Sequence, residues 1–137
     1  MRRVALAGLA LLPGLAGAAP AAELTVVNPA SAYPEGPSVV DGVLYYAEMG
    51  SDRVMRFDGT ANTPVWTREG CGPTSVVPAG DTLVVLCHRE EVVARITRDG
   101  ALVEIIDRDR DGKPFADPNA AGSDGRGGAY LSSSGVF

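Results

Sequence analysis

The sequence is short of aromatic and basic side chains. Aromatic residues make up 6% of its 137 residues, with one Trp, and there is one His. A core must therefore be built mainly from Val, Leu, Ile and Ala. The 12 Lys and Arg are outnumbered by 17 Asp and Glu, which gives a formal net charge of −5. Such a chain has no basic stripe to neutralise phosphates, which argues against a nucleic-acid partner.

Hydrophobic residues are plentiful by contrast, at 45% of the chain, which excludes a disordered acidic tail. The 17 Gly and 10 Pro are many for a helical protein of this size and favour short elements joined by turns. The length allows at most one domain.

Residues 1–22 have the three zones of a secretory signal peptide, namely a basic start, an uncharged apolar run and a stretch of small residues. The apolar run is too short to span a bilayer, although an uncleaved membrane anchor is the alternative. Cleavage after Ala18 or Ala21 fits the small-residue rule. We therefore expect a secreted or periplasmic protein, free of the membrane after cleavage, in which disulfides can form.

Beyond residue 23, short β-rich runs alternate with turns, and Asp-Gly pairs between the runs predict hairpins. No segment keeps a helical period for three turns, so the mature chain is predicted to be all-β. The predicted strands are Ser38–Val40, Leu44–Glu48, Val54–Phe57, Pro64–Thr67, Thr74–Val77, Thr82–Cys87, Val92–Thr97 and Leu102–Asp107.

The predicted strands fall into groups of four that resemble one another. The run at Leu44 matches that at Leu83, a spacing of 39 residues (44 to 83), and Pro37 is matched with Pro73. A third copy begins at Asp117. Four-stranded repeats of about 40–50 residues are typical of propeller blades.

We therefore predict a partial β-propeller over residues 23–137, with blade one at about 34–68, blade two at about 72–107 and the start of blade three at about 117–137. Each blade has two faces to bury, so two and a half blades cannot close a ring, and we expect the chain to be part of a longer protein. A β-sandwich of about eight strands is the alternative.

Several strings carry a family resemblance when taken in order. They are the Glu-Gly-Pro string at Glu35, the Leu-Tyr-Tyr string at Leu44, the Leu-Cys-His string ending at His88 and the Pro-Asn string ending at Asn119. In order and spacing, the chain after residue 32 resembles the gluconolactonase, regucalcin (senescence marker protein) and luciferin-regenerating enzyme family. The resemblance implies a six-bladed propeller that holds one metal ion, usually calcium, in its central channel and hydrolyses lactones or related esters.

The resemblance implies that Glu35 and Asn119 are metal ligands. The residues themselves argue in the same direction, since Glu35, Cys71 and Asn119 each come shortly before the first strand of a repeat. Equivalent positions of a propeller point at one axis, and calcium prefers carboxylate and amide oxygens. Taken singly, each residue is more often a solvated turn residue.

His88 is the one histidine, and it follows the second strand of blade two. There it could act as a general base on a metal-bound water, with an exposed loop histidine as the alternative. The two cysteines, Cys71 and Cys87, flank antiparallel neighbours and are predicted to form a disulfide, with two buried free thiols as the alternative.

Two functions follow from these observations. The first is an exported calcium-dependent hydrolase that acts on a small-molecule lactone or ester. The 137-residue chain would be part of that hydrolase, and by itself it is expected to be inactive. The second is a non-catalytic propeller that binds a partner. Two departures from the family pattern favour the second: Ala120 stands where the family has an Asp, and Ser132 or Ser133 stands where it has another.

Overall fold

The computed structural model describes residues 22–135, so the predicted signal peptide lies outside the described residues except for Ala22. Within that range the chain forms ten β-strands and one 3-10 turn. No helix in this part of the chain is long and apolar enough to cross a membrane. The elements are β1 (Pro34–Val40), β2 (Val43–Glu48), the 3-10 turn (Met49–Ser51), β3 (Arg53–Phe57), β4 (Asn62–Thr67), β5 (Pro73–Ala79), β6 (Thr82–Cys87), β7 (Val92–Thr97), β8 (Leu102–Ile106), β9 (Pro118–Ser123) and β10 (Ala129–Ser133).

The strands form two antiparallel four-stranded sheets and one hairpin. Blade one is β1-β2-β3-β4, blade two is β5-β6-β7-β8, and β9 and β10 form the hairpin of a third repeat. The first strands of the three repeats are neighbours in space, since β1 contacts β5 and β5 contacts β9. Sheets stacked face to face around their first strands are the architecture of consecutive propeller blades, as the sequence predicts.

The core has two layers because successive side chains of a strand point to opposite faces. Leu83 and Val85 of β6 pack with blade one, and Val84 and Leu86 pack with the hairpin. Both faces of blade two are therefore covered, and β6 is buried from its second residue to its last. This explains why its sequence is a continuous apolar run instead of an alternating one.

The structure corrects the phase of the repeat. Each first strand begins with a proline that pairs with the last residue of the second strand, and the pairs are Pro34–Glu48, Pro73–Cys87 and Pro118–Ser133. The match of Pro37 with Pro73 is therefore wrong, because Pro34 is the equivalent residue. With that correction, one spacing of 39 residues (34 to 73, 44 to 83) relates the first two strands of both blades.

Candidate functional site

The corrected phase identifies three equivalent positions at one end of the sheets. Glu35, Thr74 and Asn119 are the second residues of β1, β5 and β9. The predicted equivalence of Cys71 with Glu35 and Asn119 is wrong, since Cys71 lies two residues ahead of β5. Sequence reasoning missed Thr74, although the spacing of 39 residues leads to it directly from Glu35 (35 to 74).

Close backbone packing places these three positions side by side. Gly36 has a φ of +41°, and a Cβ atom there would lie 2.4 Å from the carbonyl oxygen of Thr74. Only glycine allows such an approach between first strands. The hydroxyl of Thr74 in turn donates a hydrogen bond to the carbonyl oxygen of Pro118 at 3.2 Å. The order around this end is therefore Glu35, Thr74 and Asn119.

The oxygens of this set are of the kind that hard cations bind. Glu35 is half-buried and Asn119 is exposed, and neither side chain forms a hydrogen bond or ion pair with any residue from 22 to 135. The same stretch contains no group of three or more His, Cys, Asp or Glu that could hold a metal ion. Calcium takes 6–8 oxygen ligands, and one carboxylate and one amide could supply part of that coordination shell.

His88 lies at the same end of the sheets as these three residues. Its backbone N–H donates to the carbonyl oxygen of Gly72 at 3.2 Å, one residue before β5. Its Nε2 atom lies 3.7 Å from Oδ1 of Asp117, and both side chains are one-quarter exposed. Its Nδ1 atom is buried without a hydrogen-bond partner in the described part of the chain. His88 is thus held between blade two and the third repeat and is not a free loop residue.

Cys71 and Cys87 form a disulfide with a Cα–Cα distance of 4.4 Å. Both cysteines are fully buried, and the bond joins the approach to β5 with the end of β6. The other repeats close the same junction by hydrogen bonds. In blade one the hydroxyl of Ser31 donates to Glu48 at 2.8 Å, and in the third repeat the hydroxyl of Ser133 donates to the carbonyl oxygen of Ala116 at 2.8 Å.

A second carboxylate at this end, that of Asp52, connects the two blades. Asp52 follows the 3-10 turn of blade one and accepts hydrogen bonds from the backbone N–H of Gly72 at 2.7 Å and of Gly70 at 3.0 Å. It also forms an ion pair with Arg89. Burial alone would raise the pKa of Asp52, but the two N–H groups and Arg89 outweigh it and hold this pKa below the ordinary value of 3.8.

Ala120 contacts Ser132, one of the two serines that the resemblance singles out. The backbone N–H of Ala120 donates to the hydroxyl of Ser132 at 3.1 Å. The place next to Asn119 is therefore closed by a hydrogen bond within the hairpin and adds no carboxylate to this end of the sheets.

Comparison with proteins of solved structure shows that this fold is similar to that of β-propellers. The chain is similar to a streptogramin B lyase (18% identity, TM-score 0.62), with 79% of this chain aligned to 36% of that one. It is also similar to a luciferin-regenerating enzyme (17% identity, TM-score 0.56, 73% of this chain and 37% of that one). Virginiamycin B lyase from Staphylococcus aureus aligns at 18% identity and a TM-score of 0.52, with 80% of this chain covering 51% of it.

No family model matches the sequence, and no curated protein sequence matches it either. At these identities the structural likeness establishes the fold, a set of β-propeller blades, and leaves the chemistry to be argued from the site. The chain spans between about a third and a half of the length of the three proteins named above.

Proposed function

We propose that this chain forms part of an exported propeller hydrolase that binds a divalent cation, with calcium first in preference, and opens a lactone or small ester. The observation that carries the proposal is the equivalence of Glu35, Thr74 and Asn119 at adjacent first strands. A ring of equivalent positions is where a propeller can present several oxygens to one ion. The whole propeller to which this chain contributes would supply the remaining ligands.

In this proposal Glu35 and Asn119 hold the cation, which would polarise the carbonyl of the substrate. The carboxylate of Glu35 provides charge, and the amide of Asn119 provides a neutral oxygen. Thr74 keeps the two first strands aligned through its hydrogen bond to Pro118. His88 would take the proton of the attacking water, a role that contributes about 10²–10⁴-fold to a rate.

Isothermal titration of calcium into the protein tests the cation site. Glu35→Gln preserves the size of the side chain and removes its charge, so we expect calcium affinity to fall by about tenfold or more. Glu69→Gln is the matched control, because Glu69 is an exposed turn residue ahead of β5. Equal calcium binding by the parent and both variants would refute the assignment of Glu35.

A lactone assay tests the reaction. Residues 23–137 should be incubated with a simple aldonolactone, with and without calcium, and we expect no turnover from this chain alone. Calcium-dependent turnover that is lost in Glu35→Gln would show that the chain already holds a sufficient site. Turnover that survives Glu35→Gln would refute the proposed role of Glu35.

The second candidate function is a propeller that binds a partner without catalysis. The hydrogen bond between Ala120 and Ser132 favours it, because it occupies the backbone beside Asn119 without adding an acidic ligand. Substitution Ala120→Asp separates the two candidates. If the site is a degenerate cation site, the new carboxylate should raise calcium affinity, whereas a scaffold with no cation site should show no change.

A further inference from the structure

We propose that Asp52 of blade one is a positioning residue for the disulfide of blade two, so that docking of blade one promotes formation of the Cys71–Cys87 bond. The inference concerns the junction of the two blades and is independent of the function proposed above. Cys71 lies in a turn formed by residues 68–72.

Four backbone N–H groups of this turn donate to Asp52 or to the turn itself. The N–H groups of Gly70 and Gly72, on either side of Cys71, both donate to the carboxylate of Asp52. The backbone carbonyl of Asp52 accepts from the N–H of Arg68 at 2.9 Å, and the N–H of Cys71 donates to the carbonyl of Arg68 at 3.1 Å. The carboxylate thus acts as an anion bound by two N–H groups of one turn.

Arg89 closes the connection from the other cysteine. It lies two residues after Cys87 and forms an ion pair with Asp52. Its guanidinium also donates to the carbonyl of Met49 at 3.1 Å, and its backbone N–H donates to the carbonyl of Cys71 at 3.1 Å. One carboxylate of blade one therefore holds both chain segments that the disulfide joins.

This arrangement has a consequence for the redox equilibrium of the pair. Oxidation removes two electrons and two protons from the two thiols, and glutathione disulfide accepts them to give two glutathione thiols. The thiolate of one cysteine attacks glutathione disulfide, and the second thiolate then displaces glutathione from the mixed disulfide. A turn already held by Asp52 loses less conformational freedom in the second step, so the intramolecular bond forms at lower oxidant concentration.

The effective concentration of the two thiols, measured at equilibrium in glutathione redox buffers, tests the inference. Asp52→Asn removes the charge and presents an N–H₂ group to one backbone N–H. Because hydrogen bonds to charged groups are strong, we expect the effective concentration to drop by about tenfold. Asp58→Asn is the matched control. Asp58 also accepts two backbone N–H groups in a turn of blade one, at 3.0 and 3.1 Å, and its pKa is likewise lowered, but it contacts neither cysteine segment.

We expect Asp58→Asn to leave the effective concentration within about twofold of the parent, since it breaks hydrogen bonds of the same kind elsewhere. Equal values for the Asp52 and Asp58 variants would overturn the inference. Emission from Trp66, which is buried in β4, reports whether each variant is folded. If Asp52→Asn is unfolded, Arg89→Gln decides, because it keeps the carboxylate and removes its cation. A fall of about threefold would support the inference, and no change would overturn it.

Discussion

Blade one and blade two share one arrangement of backbone strands. They differ in the side-chain contact that holds the end of the second strand. In both, the residue after the second strand donates its N–H to the segment ahead of the first strand, from Met49 to Tyr33 at 3.1 Å and from His88 to Gly72 at 3.2 Å. The last residue of the second strand differs, since it is Glu48 in blade one and Cys87 in blade two. One repeat geometry thus accepts either a buried carboxylate or a disulfide at the same place.

The two blades also differ in how many faces are covered. The burial of β5 is nearly complete, whereas β1 is mostly exposed or half-buried. Blade two lies between blade one and the hairpin, so both of its faces contribute to the core. The other face of blade one borders a cavity of about 380 Å³ lined by residues of its own strands and of the segment before β1, among them Leu44, Tyr46 and Val26. The neighbours of a blade, more than its composition, therefore decide how deeply it is buried.

In blade one, the side chain of Glu48 holds the end of β2 to the segment before β1. Its carboxylate is fully buried, forms an ion pair with Arg53 and accepts hydrogen bonds from Ser31 at 2.8 Å and Asn28 at 3.2 Å. The segment before β1 is thereby tied to the blade. A charge in this position is stable because its oxygens are satisfied by several donors.

The largest expected effect on stability comes from truncating Leu83 of blade two, and the equivalent leucine of blade one is the comparison. Leu83 and Leu44 are equivalent, but Leu83 is fully buried against blade one and Leu44 is only half-buried beside the cavity. Leu83→Ala should lower the free energy of unfolding by about 2–5 kcal/mol, because the surrounding core cannot collapse around the lost side chain. Leu44→Ala should cost about 1 kcal/mol or less.

Denaturant unfolding followed by the fluorescence of Trp66 measures both costs. The buried indole lies in the core between the blades and reports their separation. Similar losses in the two variants would contradict the uneven covering of the two faces.

Removal of the disulfide is expected to have the next largest effect. Cys71→Ala combined with Cys87→Ala should lower the free energy of unfolding by about 3 kcal/mol, because the cross-link restricts a loop of this size in the unfolded chain. The sequence separation of the two cysteines is 16. The same denaturant series checks the value, with the reduced parent protein as a control that keeps both sulfur atoms. A double variant as stable as the oxidised parent would show that the bond does not stabilise blade two.

The corresponding change in blade one should be smaller. Glu48→Gln keeps the shape of the side chain and weakens its charge-assisted hydrogen bonds, at an expected cost of about 1.5–2 kcal/mol. Arg53 is partly exposed, so its charge stays hydrated after the substitution. Glu104→Gln, at an exposed ion pair of blade two, is the control and should cost well under 1 kcal/mol. If the free energy of unfolding falls no further than in the control, the Glu48 carboxylate does not stabilise blade one.

The smallest effect concerns the acid sensitivity of the junction between the blades. Because the folded protein lowers the pKa of Asp52 below 3.8, the stabilisation is present above the ordinary carboxyl value. It is lost as the pH falls through the lowered pKa of the folded state. Asp52→Asn should therefore flatten the acid limb of a plot of unfolding free energy against pH. An acid limb as steep as that of the parent would exclude a contribution from Asp52.

Much of the fold could be predicted because the local pattern of apolar residues indicates how a strand is buried. The predicted bounds of β6 and β7 agree with the structure. In β6 a continuous apolar run marks a strand that is covered on both faces. The first strand was harder, because Pro-Glu-Gly-Pro is typical of a turn. The structure places Pro34 and Glu35 inside β1, where a bulge between Glu35 and Ser38 absorbs the irregular sequence.

The candidate site was less accessible to sequence reasoning. Glu35 and Asn119 could be selected by resemblance, but Thr74 became visible only after the register of the first strands was corrected. The links made by Asp52 could not be predicted, because its partner Gly72 lies 20 residues away and in another blade. Such contacts depend on how the blades pack and leave no periodic signal in the chain.

A crystal structure grown with terbium, which replaces calcium and scatters X-rays anomalously, tests the central claim most directly. We expect one anomalous peak at the end of the sheets where Glu35, Thr74 and Asn119 are neighbours. The peak should lie about 2.3–2.6 Å from a carboxylate oxygen of Glu35 and from the amide oxygen of Asn119. A structure in which these two side chains face opposite ends, or in which terbium binds without contact to either, would contradict it.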